Sequence, residues 1–169
     1  MEKQLKRIEN YDKILPIVEV YTAVQSEGSR AGYPTVVIRT TGCTHRCYFG
    51  EGGWCDSWYT SIHPEKGKYS FNDIIKMYED NPHIKEMMLT GGENIKKSII
   101  YHDDYHIKPV WSGDDFSALE EIMECIEILK VPQDKVWFMP AGDTRESLFQ
   151  SYPLVFDWVR DNGYRMTWR

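Results

Sequence analysis

Two hydrophobic periods alternate along this chain. Residues 16 to 24 (PIVEVYTAV) alternate apolar and polar positions and are rich in β-branched side chains, which predicts a strand. Gly28 to Pro34 reads as a loop and Thr35 to Thr40 as a second strand, followed by a long loop containing Gly50, Gly52 and Gly53. Ser70 is placed to N-cap a helix over FNDIIKMYED that ends near Asn81-Pro82. Ile84 to Leu89 predicts a strand running directly into Thr90-Gly91-Gly92-Glu93, and Tyr105 to Trp111 predicts another. Asp114 to Lys130 has the helical period, with Leu119, Ile122, Ile126 and Leu129 on the inward face. Lys135 to Met139 reads as a strand, Pro140-Ala141-Gly142 as a turn, Thr144 to Asn162 as a helix stopped by Gly163, and Tyr164 to Trp168 as a last strand. Strands alternating with helices predict an α/β fold with a mostly parallel sheet. Ligands of such sheets collect at the C-terminal strand ends, where Cys43, Thr90 and Pro140 fall.

Composition narrows the function classes. A length of 169 residues predicts one domain, and 41% hydrophobic content suffices for a core. The net charge of −6, with Lys and Arg scattered rather than striped, argues against broad nucleic-acid binding. The N-terminal MEKQLKRIENYDKILP is charged and lacks the apolar segment of a secretory signal, and no apolar run approaches membrane-spanning length. The expected compartment is therefore the reducing cytoplasm, where clustered cysteines signal metal or catalysis rather than a bridge.

Cys43, Cys47 and Cys55 lie in TTGCTHRCYFGEGGWCDSWY, at the end of the second predicted strand, while Cys125 belongs to a helical pattern as a small hydrophobe. Three thiolates without a fourth leave one metal position open, whereas structural sites are closed. Structural zinc is the competing reading, with His45 or His63 as fourth ligand, although zinc cysteines ordinarily come as two pairs. The other polar candidates also have plain readings: Gln25 and Glu27 as solvated loop residues, Arg39 as the partner of a surface acid, and Gly91-Gly92 as an ordinary turn.

The three-cysteine loop, Trp54 directly before its third cysteine, and TGGE at a strand end resemble the radical S-adenosylmethionine (SAM) superfamily. Within it, VEVYTAVQSEG, VVIRTTGC, CDS, MMLTGGE and FMPAGDT resemble, in order, the 7-carboxy-7-deazaguanine synthase family. The resemblance implies a partial (β/α) barrel of radical SAM type, abbreviated relative to the usual six-unit barrel, over a single domain of residues 1–169. Members of that family carry two further strand–helix units where this chain has only Asn94 to Tyr105, so a segment near 94–104 is expected to be missing or deleted. They also usually continue beyond the position of Arg169.

The resemblance further implies a lyase that converts 6-carboxy-5,6,7,8-tetrahydropterin to 7-carboxy-7-deazaguanine with loss of ammonia, in queuosine and 7-deazaguanine biosynthesis. By it, Cys43, Cys47 and Cys55 hold a [4Fe–4S] cluster. Trp54, Gly91, Gly92, Glu93 and the turn Met139, Pro140, Ala141 and Gly142 seat SAM. Val24, Gln25, Ser26, Glu27, Arg39 and Thr90 bind the pterin, with Glu27 and Arg39 closest to the chemistry. Ser57 stands where the family has a threonine that ligates Mg²⁺. A flavodoxin-like electron donor and a homodimer are the implied partners. Two alternatives stay open: an activating enzyme that generates a glycyl radical on anaerobic ribonucleotide reductase, and a zinc-stabilised binding module without activity.

Overall fold

The computed structural model describes residues 10–43, 57–61, 63–91 and 104–168. They divide into two compact units. The first comprises residues 10–24, 34–43, 57–61 and 63–91, and the second residues 25–33 and 104–168.

The first unit is a three-stranded sheet with two helices. Strand β1 (Ile17–Val24) pairs antiparallel with β2 (Pro34–Thr40), and β2 pairs parallel with β3 (Glu86–Gly91). The antiparallel pair is the exception to the expected, and elsewhere observed, parallel pairing. Its cause is the short connection 25–33, because a parallel crossover needs a dozen or more residues. The short helix α1 (Trp58–Ser61) and the longer α2 (Phe71–Asp80) follow β2. Ile17 and Val20 of β1 and Val36 and Ile38 of β2 share one sheet face and pack with Ile84. Ile74, Met77 and Tyr78 of α2 close that core. The opposite face carries Glu19, Arg39 and Thr90 in one row across the three strands, since Glu19 faces Arg39 and Arg39 faces Thr90 in the register.

Ser70 caps α2 as expected. Its hydroxyl accepts from the Asp73 backbone N–H, and the Asp73 carboxylate accepts in return from the Ser70 N–H (2.6 Å) and hydroxyl (2.7 Å). Those bonds hold the Asp73 carboxyl below its ordinary value. A depressed acid stabilises the fold above the ordinary carboxylate range, and this contribution fades as pH falls through it. Asp73→Asn is therefore expected to lower the urea midpoint at pH 7, with a smaller gap from the parent protein at pH 3. An equal gap at both values would contradict the capping role.

The second unit is a parallel sheet, β4 (Val110–Trp111), β5 (Trp137–Pro140) and β6 (Arg165–Met166), in that order, with α3 (Phe116–Leu129) and α4 (Arg145–Asn162). Phe138, fully buried, meets Trp111, Trp158 and Tyr164 edge-on with centroids 5.0–6.3 Å apart. Leu119 and Ile126 of α3 and Val155 and Val159 of α4 complete this core, with Ile122 and Leu129 packed against it. Cys125 is half-buried on α3. The strand expected over Tyr105 to Trp111 shortens to its last two residues, with an isolated bridge between Ile107 and Val136. Pro109 is the reason: it accepts from Met139 N–H but has no N–H to return a rung. Asp115 and Thr144 cap α3 and α4 through their side chains, and Gly163 ends α4.

Candidate functional site

In the first unit the candidate residues gather at the C-terminal ends of β2 and β3. Arg39 is half-buried. Its Nε donates to Glu19 Oε2 at 2.6 Å, its Nη1 to Ser57 Oγ at 3.2 Å, and its Nη2 lies 3.5 Å from the Tyr21 hydroxyl. Tyr59 donates to the same Glu19 oxygen at 3.2 Å and places its ring 5.9 Å from the Arg39 guanidinium carbon. Partial burial opposes the guanidinium charge, but the hydrogen bonds with Glu19 and Tyr21 outweigh it, so the Arg39 pKa is raised. The Tyr59 pKa is raised by partial burial, against the pull of the Arg39 cation and with the push of the Glu19 carboxylate. Arg39 thus does pair with an acid, as its plain reading held. That acid shares a sheet face with Thr90, whose carbonyl accepts from Thr40 Oγ1 at 3.2 Å.

Cys43 follows β2 as a half-buried thiol. The N–H of Gly42 donates to the Thr60 carbonyl at 2.7 Å, and the Thr60 N–H donates to the Ser57 carbonyl at 2.8 Å. Residues on either side of the cysteine segment are therefore held side by side, as its two feet. Thr41 Oγ1 and Ser61 Oγ, at the same feet, are buried and without a hydrogen-bond partner among the described residues. His45, Cys47, Trp54, Cys55, Gly92, Glu93 and the break expected near 94–104 lie outside the described residues, apart from Asp104. Among the described residues, no three His, Cys, Asp or Glu side chains converge, and no helix is long and apolar enough to cross a membrane.

Two further candidate groups sit elsewhere. Val24 ends β1 of the first unit and is 65% exposed. Gln25, Ser26 and Glu27 belong to the second unit, where Gln25 is buried and its Oε1 accepts from the Glu27 N–H at 3.2 Å. Lys108 donates to Glu27 Oε2 at 2.7 Å, with side chains 16% and 22% exposed respectively. The Gly28 N–H donates to Thr167 Oγ1 at 2.6 Å, and Ser29 Oγ lies 3.0 Å from His106 Nδ1. Gly28 has φ +71°, and a Cβ there would stand 2.8 Å from His106 Nε2, so the loop accepts only glycine at this point. Arg30 pairs with Asp104. The loop is thus tied at four points to the segment before β4 and to the residue after β6.

Lys108, His106 and Thr167 were not legible as partners of this loop, because their contacts span 77 to 139 positions of sequence. Glu19 was visible only as one polar position of an alternating strand, with nothing to mark it as the partner of Arg39. If the Glu27–Lys108 pair is energetically coupled, Lys108→Met costs about 1–3 kcal/mol of unfolding free energy, while adding Glu27→Gln restores part of it. Additive losses in a urea double-mutant cycle would contradict the coupling.

Met139 and Pro140 are buried at the C-terminal end of β5. Ala141 donates its N–H to the Trp111 carbonyl (2.9 Å) and accepts from Ser151 Oγ (2.5 Å), which fastens the turn to β4 and α4. Gly142 packs so closely on Leu148 that a Cβ would lie 2.7 Å from its backbone nitrogen.

No family model matches the chain. It is 41% identical over 90 residues to a 7-carboxy-7-deazaguanine synthase of Halobacterium salinarum, covering 53% of this chain and 31% of the relative. It is 29% identical over 144 residues to the Bacillus cereus protein of that name, covering 85% of this chain and 50% of the relative. The chain thus spans between about a fifth and a half of the length of the curated relatives it matches. Its fold resembles the crystal structure of QueE from Escherichia coli, with TM-score 0.52, 15% identity, and 91% of this chain and 93% of that one covered. The chain is thus similar, over the stretches that match, to proteins named 7-carboxy-7-deazaguanine synthase.

Proposed function

We propose that this chain carries the reaction its relatives are named for: conversion of 6-carboxy-5,6,7,8-tetrahydropterin to 7-carboxy-7-deazaguanine with release of ammonia, within queuosine and 7-deazaguanine biosynthesis. Residues 1–169 are read as one radical SAM domain, a partial (β/α) barrel abbreviated relative to the six-unit form. The observation that carries the reading is the row Glu19–Arg39–Thr90 at strand ends that lead directly into the cysteine segment.

Cys43, Cys47 and Cys55 would hold a [4Fe–4S] cluster. The chemistry of the donor set suits it, since three thiolates leave one iron for an outside ligand. The pinned feet at Gly42 and Thr60 suit it as well, because they hold the two flanks of that segment together next to Cys43. When bound, the cluster and SAM supply the electron and the hydrogen abstraction at substrate C6 that begin the ring contraction. The glycines Gly91 and Gly92 with Glu93, Trp54 and the turn 139–142 would seat SAM. Thr90 would abut the substrate.

Arg39 would meet the substrate carboxylate with a planar fork, which a carboxylate matches with two parallel bonds. Gln25 and Glu27, flanked by Val24 and Ser26, would read the pterin edge. Glu27 already accepts from Lys108 through Oε2, which leaves Oε1 for a ligand N–H. Ser57 Oγ would add one oxygen to Mg²⁺, an ion that keeps water and ligand oxygens for most of its shell. A cation beside Arg39 requires the ligand carboxylate to offset the like charges. A small flavodoxin-like donor, a homodimer and a cytoplasmic setting complete the proposal.

The deciding experiment is anaerobic reconstitution with iron and sulfide, then addition of SAM, reductant, Mg²⁺ and 6-carboxytetrahydropterin, with products read by mass. Formation of 7-carboxy-7-deazaguanine together with 5′-deoxyadenosine supports the reading. Deoxyadenosine without that product moves the substrate to another molecule, such as a partner's glycyl site. A colourless protein that holds only zinc returns the cysteines to a scaffold.

A further inference from the structure

The register between β1 and β2 shifts at Ile17/Glu19: Ile17 faces Thr40, yet Glu19 faces Arg39 and Val20 faces Ile38. One extra residue, Val18, is therefore absorbed into β1 as a bulge. Had the register set by Ile17 continued, Arg39 would face Val18, and Glu19 would share the core face with Ile38. The bulge removes the carboxylate from the core and sets it directly opposite the guanidinium.

A guanidinium offers two edges to oxygen pairs: a side edge that includes Nε, and an end edge formed by Nη1 and Nη2. Glu19 occupies the side edge through Nε at 2.6 Å. The same oxygen accepts from the Tyr59 hydroxyl at 3.2 Å, so Glu19 is itself held in place. On the end edge the partners are neutral hydroxyls, Ser57 at 3.2 Å and Tyr21 at 3.5 Å. Among the described residues Glu19 is the only carboxylate that touches Arg39. A neutral hydroxyl is displaced by a ligand carboxylate with little loss, whereas a second acid there would compete with it.

We infer that Glu19 is a positioning residue: by holding Nε, with Tyr59 behind it, it aims the Nη1/Nη2 edge of Arg39 at the carboxylate of the ligand. The inference rests on the pterin reading above and adds to it a residue that decides preference for carboxylated over plain pterin. It also gives the β1 bulge a task, since without it the Glu19–Arg39 pair does not form.

The test uses the full reconstituted chain with two stable fluorescent ligands, 6-carboxypterin and pterin, and measures Kd by equilibrium dialysis. Glu19→Gln keeps shape and removes charge. It is expected to weaken 6-carboxypterin about 10- to 100-fold, and pterin by no more than about 3-fold. Tyr59→Phe keeps the ring and removes the bond to Glu19, and is expected to lower the same preference by about 3- to 10-fold. This second variant decides the matter if Glu19→Gln fails to fold by far-ultraviolet circular dichroism. Equal losses on both ligands, or tighter binding of 6-carboxypterin by Glu19→Gln, overturn the positioning role. If the parent protein turns over 6-carboxytetrahydropterin while the variants lose both ligands equally, only Glu19 is misassigned. A parent protein that neither turns over the carboxypterin nor prefers the carboxylated ligand overturns the functional reading and this inference together.

Discussion

Gly91→Ala is expected to destabilise the protein by about 2–5 kcal/mol, the sum of a left-handed backbone penalty and an overpacked strand junction. Gly91 closes β3 with φ +99°, in register with Thr40. A Cβ there would stand 2.3 Å from the Thr40 carbonyl oxygen, 2.8 Å from the Thr40 nitrogen and 2.8 Å from Arg39 Cγ. Two of those three atoms are backbone of the neighbouring strand, so relief requires β2 and β3 to separate where Thr40 Oγ1 bonds the Thr90 carbonyl. The third is the stem of Arg39, so the substitution also turns the guanidinium away from Glu19. A urea unfolding series measures the loss, and ligand dialysis measures the displaced arginine. A change below about 0.5 kcal/mol would show that the two strand ends part freely, against the Thr40–Gly91 register.

Cys43→Ser is expected to leave the fold intact and abolish the chemistry. Turnover should fall on the order of 10³-fold or more, the scale of removing one member of a set that works as a unit. Iron bound after reconstitution should fall with it, because a serine oxygen is a poor substitute for a thiolate toward iron–sulfur. The fold survives because Cys43 follows β2 rather than filling either core. Iron content and the visible absorption of the cluster are read beside the urea midpoint. A variant that keeps both iron and turnover removes the cluster from Cys43. One that loses its midpoint as well makes the thiol a structural element.

The contrast between these two predictions follows from what local sequence can express. The cysteine cluster, the TGGE string and the caps at Ser70, Thr144 and Gly163 are short-range signals, each produced by groups within a few residues of one another, and they are readable without a fold. The period of α3 is similarly local: of the four residues the pattern turns inward, Leu119 and Ile126 are buried and Ile122 and Leu129 are partly buried against the same core. The limits of β4 were less legible. Tyr105 to Trp111 has strand composition throughout, but Pro109 removes one rung, and only pairing with β5 decides which residues count as strand.

The site divides along the same line. Arg39 and Glu27 were identifiable as charged residues in telling strings, and their partners were not. Lys108 reaches Glu27 from 81 positions away, and Glu19 reaches Arg39 through a register that one bulged residue shifts. Composition and pattern by themselves determined that this is an α/β chain with three cysteines clustered after a strand, and the resemblance of its strings added the expectation of a planar, carboxylated ligand. Only the tertiary structure decided which carboxylate holds which cation, which edge of Arg39 is left with neutral partners, and that β1 runs antiparallel to β2. The physical reason is range: caps and periods arise from neighbours along the chain, whereas ion pairs and register come from contacts that exist only after distant segments have met.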